Sequence, residues 1–218
     1  MFYLIKDDYS AKISQEFLSL IKQIKDAKHL KLESLSLIDT AFKRFLGFSS
    51  SFVNSVSEKD LLNLMKKNDE IQGIQCAIGA ALLFEEGNIF YDEEKYNEAY
   101  FRYSKAFNLI SNIFVLNLDC ELEGYIELSE EIAGAVENFE TTSEDQEKLF
   151  YLYKSIGIYS KAEDHLYDLM NDPLKKEFAK NKLKEFYNEL LEKKDEDLIQ
   201  GNLPRHEILE SLKASSNK

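Results

Sequence analysis

The stretch GNIFYDEEKYNEAYFRYSKAFNLI, residues 87–110, sets small residues at Gly87, Ala99 and Ala106 among bulky ones at Phe90, Tyr96, Tyr103 and Phe107. Small positions let two helix backbones approach closely while large side chains fill the grooves between them. Asp92-Glu93-Glu94 interrupts the pattern, so the spacing predicts two antiparallel helices joined at that triplet. A hairpin of this kind cannot bury its apolar face alone and is expected to stack on similar neighbours.

The rest of the chain reads as helix by the same periodicity. Tyr9, Ile13, Phe17, Leu20, Ile21 and Ile24 mark one face, broken at Lys28-His29. Leu35, Ile38, Ala41, Phe42 and Phe45 mark a second helix that stops at Gly47 in a C-cap position. Ser49-Ser50-Ser51 reads as a loop, and Ser57-x-x-Asp60 as the start of a short helix to Lys66. Helices are then expected from about 69 to 91, 95 to 110 and 119 to 138. Ser143 with Gln146 three residues on reads as a capping box opening a helix to Ile156. Gly157 turns the chain into a return helix to Met170, and Pro173 reads as the first residue of a helix to Lys194. No segment of four or more residues carries a strand pattern. The expected organisation is one helical-repeat domain over 1–194 and a tail over 195–218 with one short helix after Pro204.

Composition supports an all-α fold. The 218 residues include only two prolines and eight glycines, too few breakers for a many-turned β fold. Cys76 and Cys120 fit neither a disulfide framework nor a zinc spacing; Cys76, in the run Gln-Cys-Ala-Ile-Gly-Ala-Ala, reads as a small core residue. Phe2-Tyr3-Leu4-Ile5 meets Lys6-Asp7-Asp8 too soon for a signal peptide. The longest apolar run, Ala77 to Phe84, is about a third of a bilayer span. A cytoplasmic location with no membrane contact is therefore expected. The net charge of −13 argues against nucleic acid, whose phosphates are gripped by clustered Lys and Arg.

Internal repetition organises the chain. Tyr96-x-x-Ala99-x3-Tyr103-x2-Ala106 recurs as Tyr159-x-x-Ala162-x3-Leu166-x2-Leu169, with a weaker copy at Ser34-x3-Ile38-x2-Ala41. These residues resemble a tetratricopeptide repeat. Gly87 falls on the small position of the first helix, Ala99 and Ala106 on the small positions of the second, and Tyr103 on its aromatic position. The chain departs from that pattern at Leu83 and Glu86, where the first helix usually carries Trp and Leu, and lacks the usual proline beyond the second helix. Asp7-Asp8-Tyr9 and Leu203-Pro204-Arg205-His206-Glu207-Ile208 are similar to an uncharacterised family of bacterial helical proteins with no assigned activity. The resemblance implies antiparallel hairpins stacked as a short right-handed superhelix.

By the same resemblance, the first helix of each hairpin lines a concave face. That face would present Phe84, Asn88 and Tyr91 from one hairpin and Glu147, Tyr151 and Lys154 from another. Asn88 matches the asparagine of members that clamp a peptide carboxylate, but Phe84 stands where they carry a basic residue. Phe84 and Tyr91 also read as plain core aromatics. Residues 119–147 hold eleven Asp or Glu and no Lys or Arg, and so carry −11 of the net charge. Three explanations compete: a basic partner, pairing with Lys175, Lys176, Lys180, Lys182 and Lys184, or a solvated face. The histidines give no catalytic constellation. His29 and His206 read as loop and tail, and His165 as a surface residue. Glu163 and His165 point to different helix faces. No phosphate loop, serine elbow or metal-protease helix occurs.

The expected function is a non-enzymatic adaptor whose helices hold a protein or peptide, a cationic one by the charge argument. Neither cofactor nor metal is expected. Two alternatives remain open. One is a self-associating structural protein, with Leu183, Phe186, Leu190 and Leu191 supplying the contact. The other is a small-molecule-binding helical domain.

Overall fold

The structure, a computed structural model, describes residues 2–27 and 29–216, with side-chain surroundings for 11–27 and 29–213. The fold is all-α: among the described residues there are twelve helices and one two-stranded sheet. The chain divides into two units, Met1–Phe139 and Glu140–Lys218.

In the first unit α1 (Phe2–Asp26) and α2 (Lys31–Leu46) form a pair. Of the expected break at Lys28-His29, His29 lies between the two helices and Lys28 is outside the described residues. Gly47 closes α2 at φ 80°, a left-handed conformation that glycine adopts without strain. The serine cluster is not a loop. It caps a helix, α3 (Ser50–Ser55), with the Ser49 hydroxyl accepting from the Phe52 amide. Ser57 caps α4 (Glu58–Leu64) in the same way through the Asp60 amide. Strands β1 (Lys66–Lys67) and β2 (Glu70–Ile71) then pair antiparallel, Lys66 opposite Ile71 and Lys67 opposite Glu70. Asn68 and Asp69 turn the chain at φ 53° and 64°, the pair of positive angles that a tight hairpin requires.

Helix α5 (Gly73–Asp92) is the centre of this unit. Fourteen of its twenty residues are buried, Glu85 and Glu86 among them, so it is covered on nearly every side, as a core helix is. It packs against α6 (Tyr96–Val115) most extensively, and also against α1, α2 and α7 (Tyr125–Glu137). The α5–α6 hairpin closes as its small residues require. Ala99 and Ala106 are fully buried, and the Tyr103 ring packs directly on Gly87. Residues 119–124 are not helical, contrary to the expected start at 119; Gly124 enters α7 at φ 77°.

Charged groups inside this unit are held by partners far away in sequence. Lys105, 2% exposed, donates to the carbonyls of Val53, Asn54 and Val56 at 3.1, 2.7 and 2.8 Å. Its ammonium thereby caps α3, whose last carbonyls lack helical partners. The Arg102 guanidinium lies 4.0 Å from the Phe90 ring centroid, bonds Glu98 at 2.8 Å, and puts Nε 3.2 Å from Glu86. Glu86 in turn accepts from Asn54 and Ser50.

The second unit stacks α8 (Ser143–Ile156) on α9 (Tyr159–Leu169), with α10 (Lys176–Leu191) against α9, followed by α11 (Asp195–Gln200) and α12 (Arg205–Ser216). The capping box is one residue earlier than expected: Thr142 and Asp145 exchange side-chain and backbone bonds. Gly157 ends α8 at φ 84°. Pro173 does not begin a helix. Asp172 accepts from the Leu174 amide in a turn, and α10 starts at Lys176. Residues 195–218 carry two helices rather than one, and Leu198, Leu203 and Ile208 are buried in this unit. Of the face offered for self-association, Leu183, Phe186 and Leu190 lie in the unit's own core, and Leu191 is half-buried. His165 is buried, not at the surface: it stacks on Tyr153 and shares a 2.6 Å hydrogen bond with Gln146.

Candidate binding cleft

In the first unit a cleft of about 320 Å³ opens beside the last two turns of α5, lined by Ile24, Lys25, Glu85, Asn88, Ile89 and Asp92. The lining follows from helix geometry. Residues 85, 88, 89 and 92 recur at three and four and form one stripe of α5, and the last turn of α1 supplies the opposite wall. Ile24 and Ile89 are buried and make the apolar part. The polar part is a chain of contacts. Lys25 Nζ stands 3.3 Å from Glu85 Oε1, Glu85 bonds the Asn88 side chain, and the Tyr103 hydroxyl donates to Asn88 Oδ1 at 2.8 Å.

The electrostatics of the cleft are anionic. Glu85 and Asp92 face one cation, Lys25, and the C-terminal end of α5 adds partial negative charge. Glu85 is 8% exposed. Burial raises its carboxyl above the ordinary value and Glu131 adds to the effect, while Lys25 and Asn88 oppose it without cancelling it. The Tyr103 phenol is also raised, by burial first and then by Tyr91, Asp92 and Glu85. A carboxylate so placed is under-compensated, and a further positive group would stabilise it.

Phe84, Asn88 and Tyr91, named from sequence, meet around Tyr103. The Phe84 and Tyr91 rings stand 5.5 and 6.3 Å from the Tyr103 ring, and Asn88 holds its hydroxyl. Only Asn88 lines the cleft. Phe84 is buried, and Tyr91 is 43% exposed against Tyr96. Glu147, Tyr151 and Lys154 belong to α8 of the second unit. Glu147 pairs with Lys175 at 2.7 Å, Lys154 pairs with Glu189, and the Tyr151 ring packs on Phe150. Lys175 of the basic run thus reaches the acidic stretch, while Lys180 and Lys182 pair locally with Glu177 and Glu185. Sequence reasoning missed Lys25, Glu85, Ile89 and Asp92. The spacing of Glu85 and Asp92 about Asn88 was the signal that could have found the two carboxylates.

A larger cleft of about 1080 Å³ lies at the other end of α5, between the hairpin Lys66–Ile71, α1, α2 and residues 117–121. Its floor includes Ile13, Phe45 and Ile78, and its rim mixes Lys66 and Lys67 with Asp119 and Glu121. Cys76 and Cys120 lie nearby with protonated thiols, which burial pushes up to about 12 and about 11. Among the described residues no group of three or more His, Cys, Asp or Glu is placed to hold a metal ion. No helix among them is long and apolar enough to cross a membrane.

Residues 4–218 match the model of one protein family, described as a family of unknown function (DUF6483). No curated protein and no solved structure matches the chain.

Proposed function

The chain belongs to DUF6483, a family of unknown function, and from that premise we propose that it is a non-enzymatic protein- or peptide-binding module. In this reading the α5–α6 hairpin is of tetratricopeptide type and its partner is cationic. The observation that carries the proposal is Glu85, a nearly buried carboxylate that lines an open cleft and is incompletely neutralised there. A lysine or arginine side chain of a partner enters between Ile24 and Ile89, where Glu85, Asp92 and Asn88 receive its N–H groups. The surrounding negative charge hastens encounter more than it adds affinity. The same cleft disfavours a carboxylate ligand.

The test is a titration of isotope-labelled protein with a blocked tetralysine peptide, with tetraglutamate as the control. Tetralysine is expected to shift the Asn88 side-chain amide and the backbone amides of 85–92. Asp92→Asn should weaken binding by about three- to tenfold, while Glu127→Gln with Glu130→Gln on the exposed face of α7 should not. Shifts spread evenly over the acidic surface, or equal losses in both variants, overturn the reading.

A further inference from the structure

The cleft already holds a cation of the chain's own. Lys25 Nζ sits 3.3 Å from Glu85, yet the Lys25 side chain is 52% exposed while that of Glu85 is 10% exposed. The two partners therefore differ in kind: the carboxylate is fixed in the wall, and the ammonium reaches it from outside. Ile24, 2% exposed, anchors the last turn of α1 in the core and lines the same cleft. Lys25 is thus carried on a fixed backbone and a flexible four-carbon stem. Moving its ammonium out of the cleft needs rotamer changes alone, with no shift of α1.

We propose that Lys25 is an intramolecular competitor for the cleft: its ammonium occupies Glu85 in the free protein, and a basic side chain of the partner binds by displacing it. The proposal rests on the cation-binding reading above and adds its regulation. A tethered ammonium acts at a high effective concentration, so a single free amine competes poorly. A partner with several basic groups gains contacts at Asp92 and Asn88 that Lys25 does not make, and so prevails. Displacement leaves Lys25 in water, where it is already half placed, so the exchange costs little desolvation.

The experiment is a titration of full-length protein variants with the blocked tetralysine peptide at low salt. Lys25→Ala is expected to bind about three- to tenfold more tightly than the parent protein, and Lys25→Arg to behave like the parent. Lys22→Ala removes the same charge from an exposed position of α1 and should leave affinity unchanged. In a Glu85→Gln background the Lys25→Ala gain should vanish. Equal tightening by Lys22→Ala and Lys25→Ala would reduce the effect to net charge and overturn the proposal. Binding to the parent with no gain, or a loss, in Lys25→Ala overturns it too while sparing the cation-binding reading. Failure of every variant to bind sinks that reading, and the competitor with it.

Discussion

The Tyr103 ring rests against Gly87: a Cβ added at Gly87 would stand 2.6 Å from Tyr103 Cε1 and 2.7 Å from Cδ1. The ring is buried and hemmed by Phe84, Tyr91 and Phe139, so it has little room to yield. Gly87→Ala gains about 1 kcal/mol of helix propensity and loses about 1–3 kcal/mol to overpacking. With two ring atoms inside 3 Å, the loss wins. Denaturation should show a less stable variant, and because Tyr103 donates to Asn88, the Asn88 side-chain amide resonance should move. A stabilised variant with that resonance unmoved would show that the ring yields freely.

The second contact point of the hairpin gives a larger effect. Ala99 is fully buried in the second helix, and Ala99→Phe should cost about 1–3 kcal/mol or more by urea denaturation. Tolerance of the ring at this position would contradict the packing of α5 on α6.

Glu85 makes stability depend on pH with a definite sign. Its folded-state carboxyl is raised above the ordinary value by burial first, with Lys25, Asn88 and Glu131 as its other influences and Asp92 on the same lining. Between the ordinary and the raised value the folded protein holds more protons than the unfolded chain. Stability is therefore full below that window and falls as pH rises through it. Glu85→Gln removes the fall. Its melting temperature at neutral pH should equal or exceed that of the parent, while binding of the basic peptide weakens but stays measurable. Stability gained as affinity falls is the pattern of a carboxylate kept for function. A variant less stable than the parent at neutral pH would show that the Lys25 contact outweighs the desolvation.

Local signals were legible in the sequence and long-range ones were not. Gly47 and Gly157 end their helices in the left-handed conformation expected of them, and Ser57 caps α4, because each depends on a few neighbouring residues. The hairpin at 66–71 was hidden because two-residue strands have no period; only Asn68-Asp69 hints at the turn. Pro173 misled because Asp172 holds a turn that delays α10 by three residues. Glu85 and Glu86 look like a polar helix face, yet both are buried. Their partners, Lys25 and Arg102 with Asn54, lie up to sixty residues away and leave no trace in a local pattern. His165 was misplaced for the same reason, since Gln146 and Tyr153 enclose it from another helix.

Lys105 caps α3 from across the unit. Its ammonium satisfies the Val53, Asn54 and Val56 carbonyls and stands 4.4 Å from the Phe101 ring. Lys105→Met keeps most of the apolar stem and leaves three acceptors without their donor, which should cost about 1–3 kcal/mol. Amide exchange of α3 should quicken more than that of α2. An unchanged exchange pattern would mean that water replaces the ammonium without loss.

Tyr187 and Glu163 form the corresponding pair in the second unit, and here pH separates two explanations of a mutant's loss. The buried Tyr187 hydroxyl donates to Glu163 and stands 3.2 Å from the Tyr167 hydroxyl. Burial raises the Glu163 carboxyl above its ordinary value, and the bond from Tyr187 is what holds the rise in check. Tyr187→Phe preserves the ring packing against Phe186 and removes only the donor. The ionised carboxylate is then desolvated without compensation, at about 1–3 kcal/mol. Because protonated Glu163 no longer carries the charge, the loss should be largest at neutral pH and shrink as pH falls through the raised Glu163 value, above the ordinary carboxylate range. A cost that stays constant with pH would assign it to the Tyr167 and Ser211 contacts or to packing, and remove Glu163 from the account.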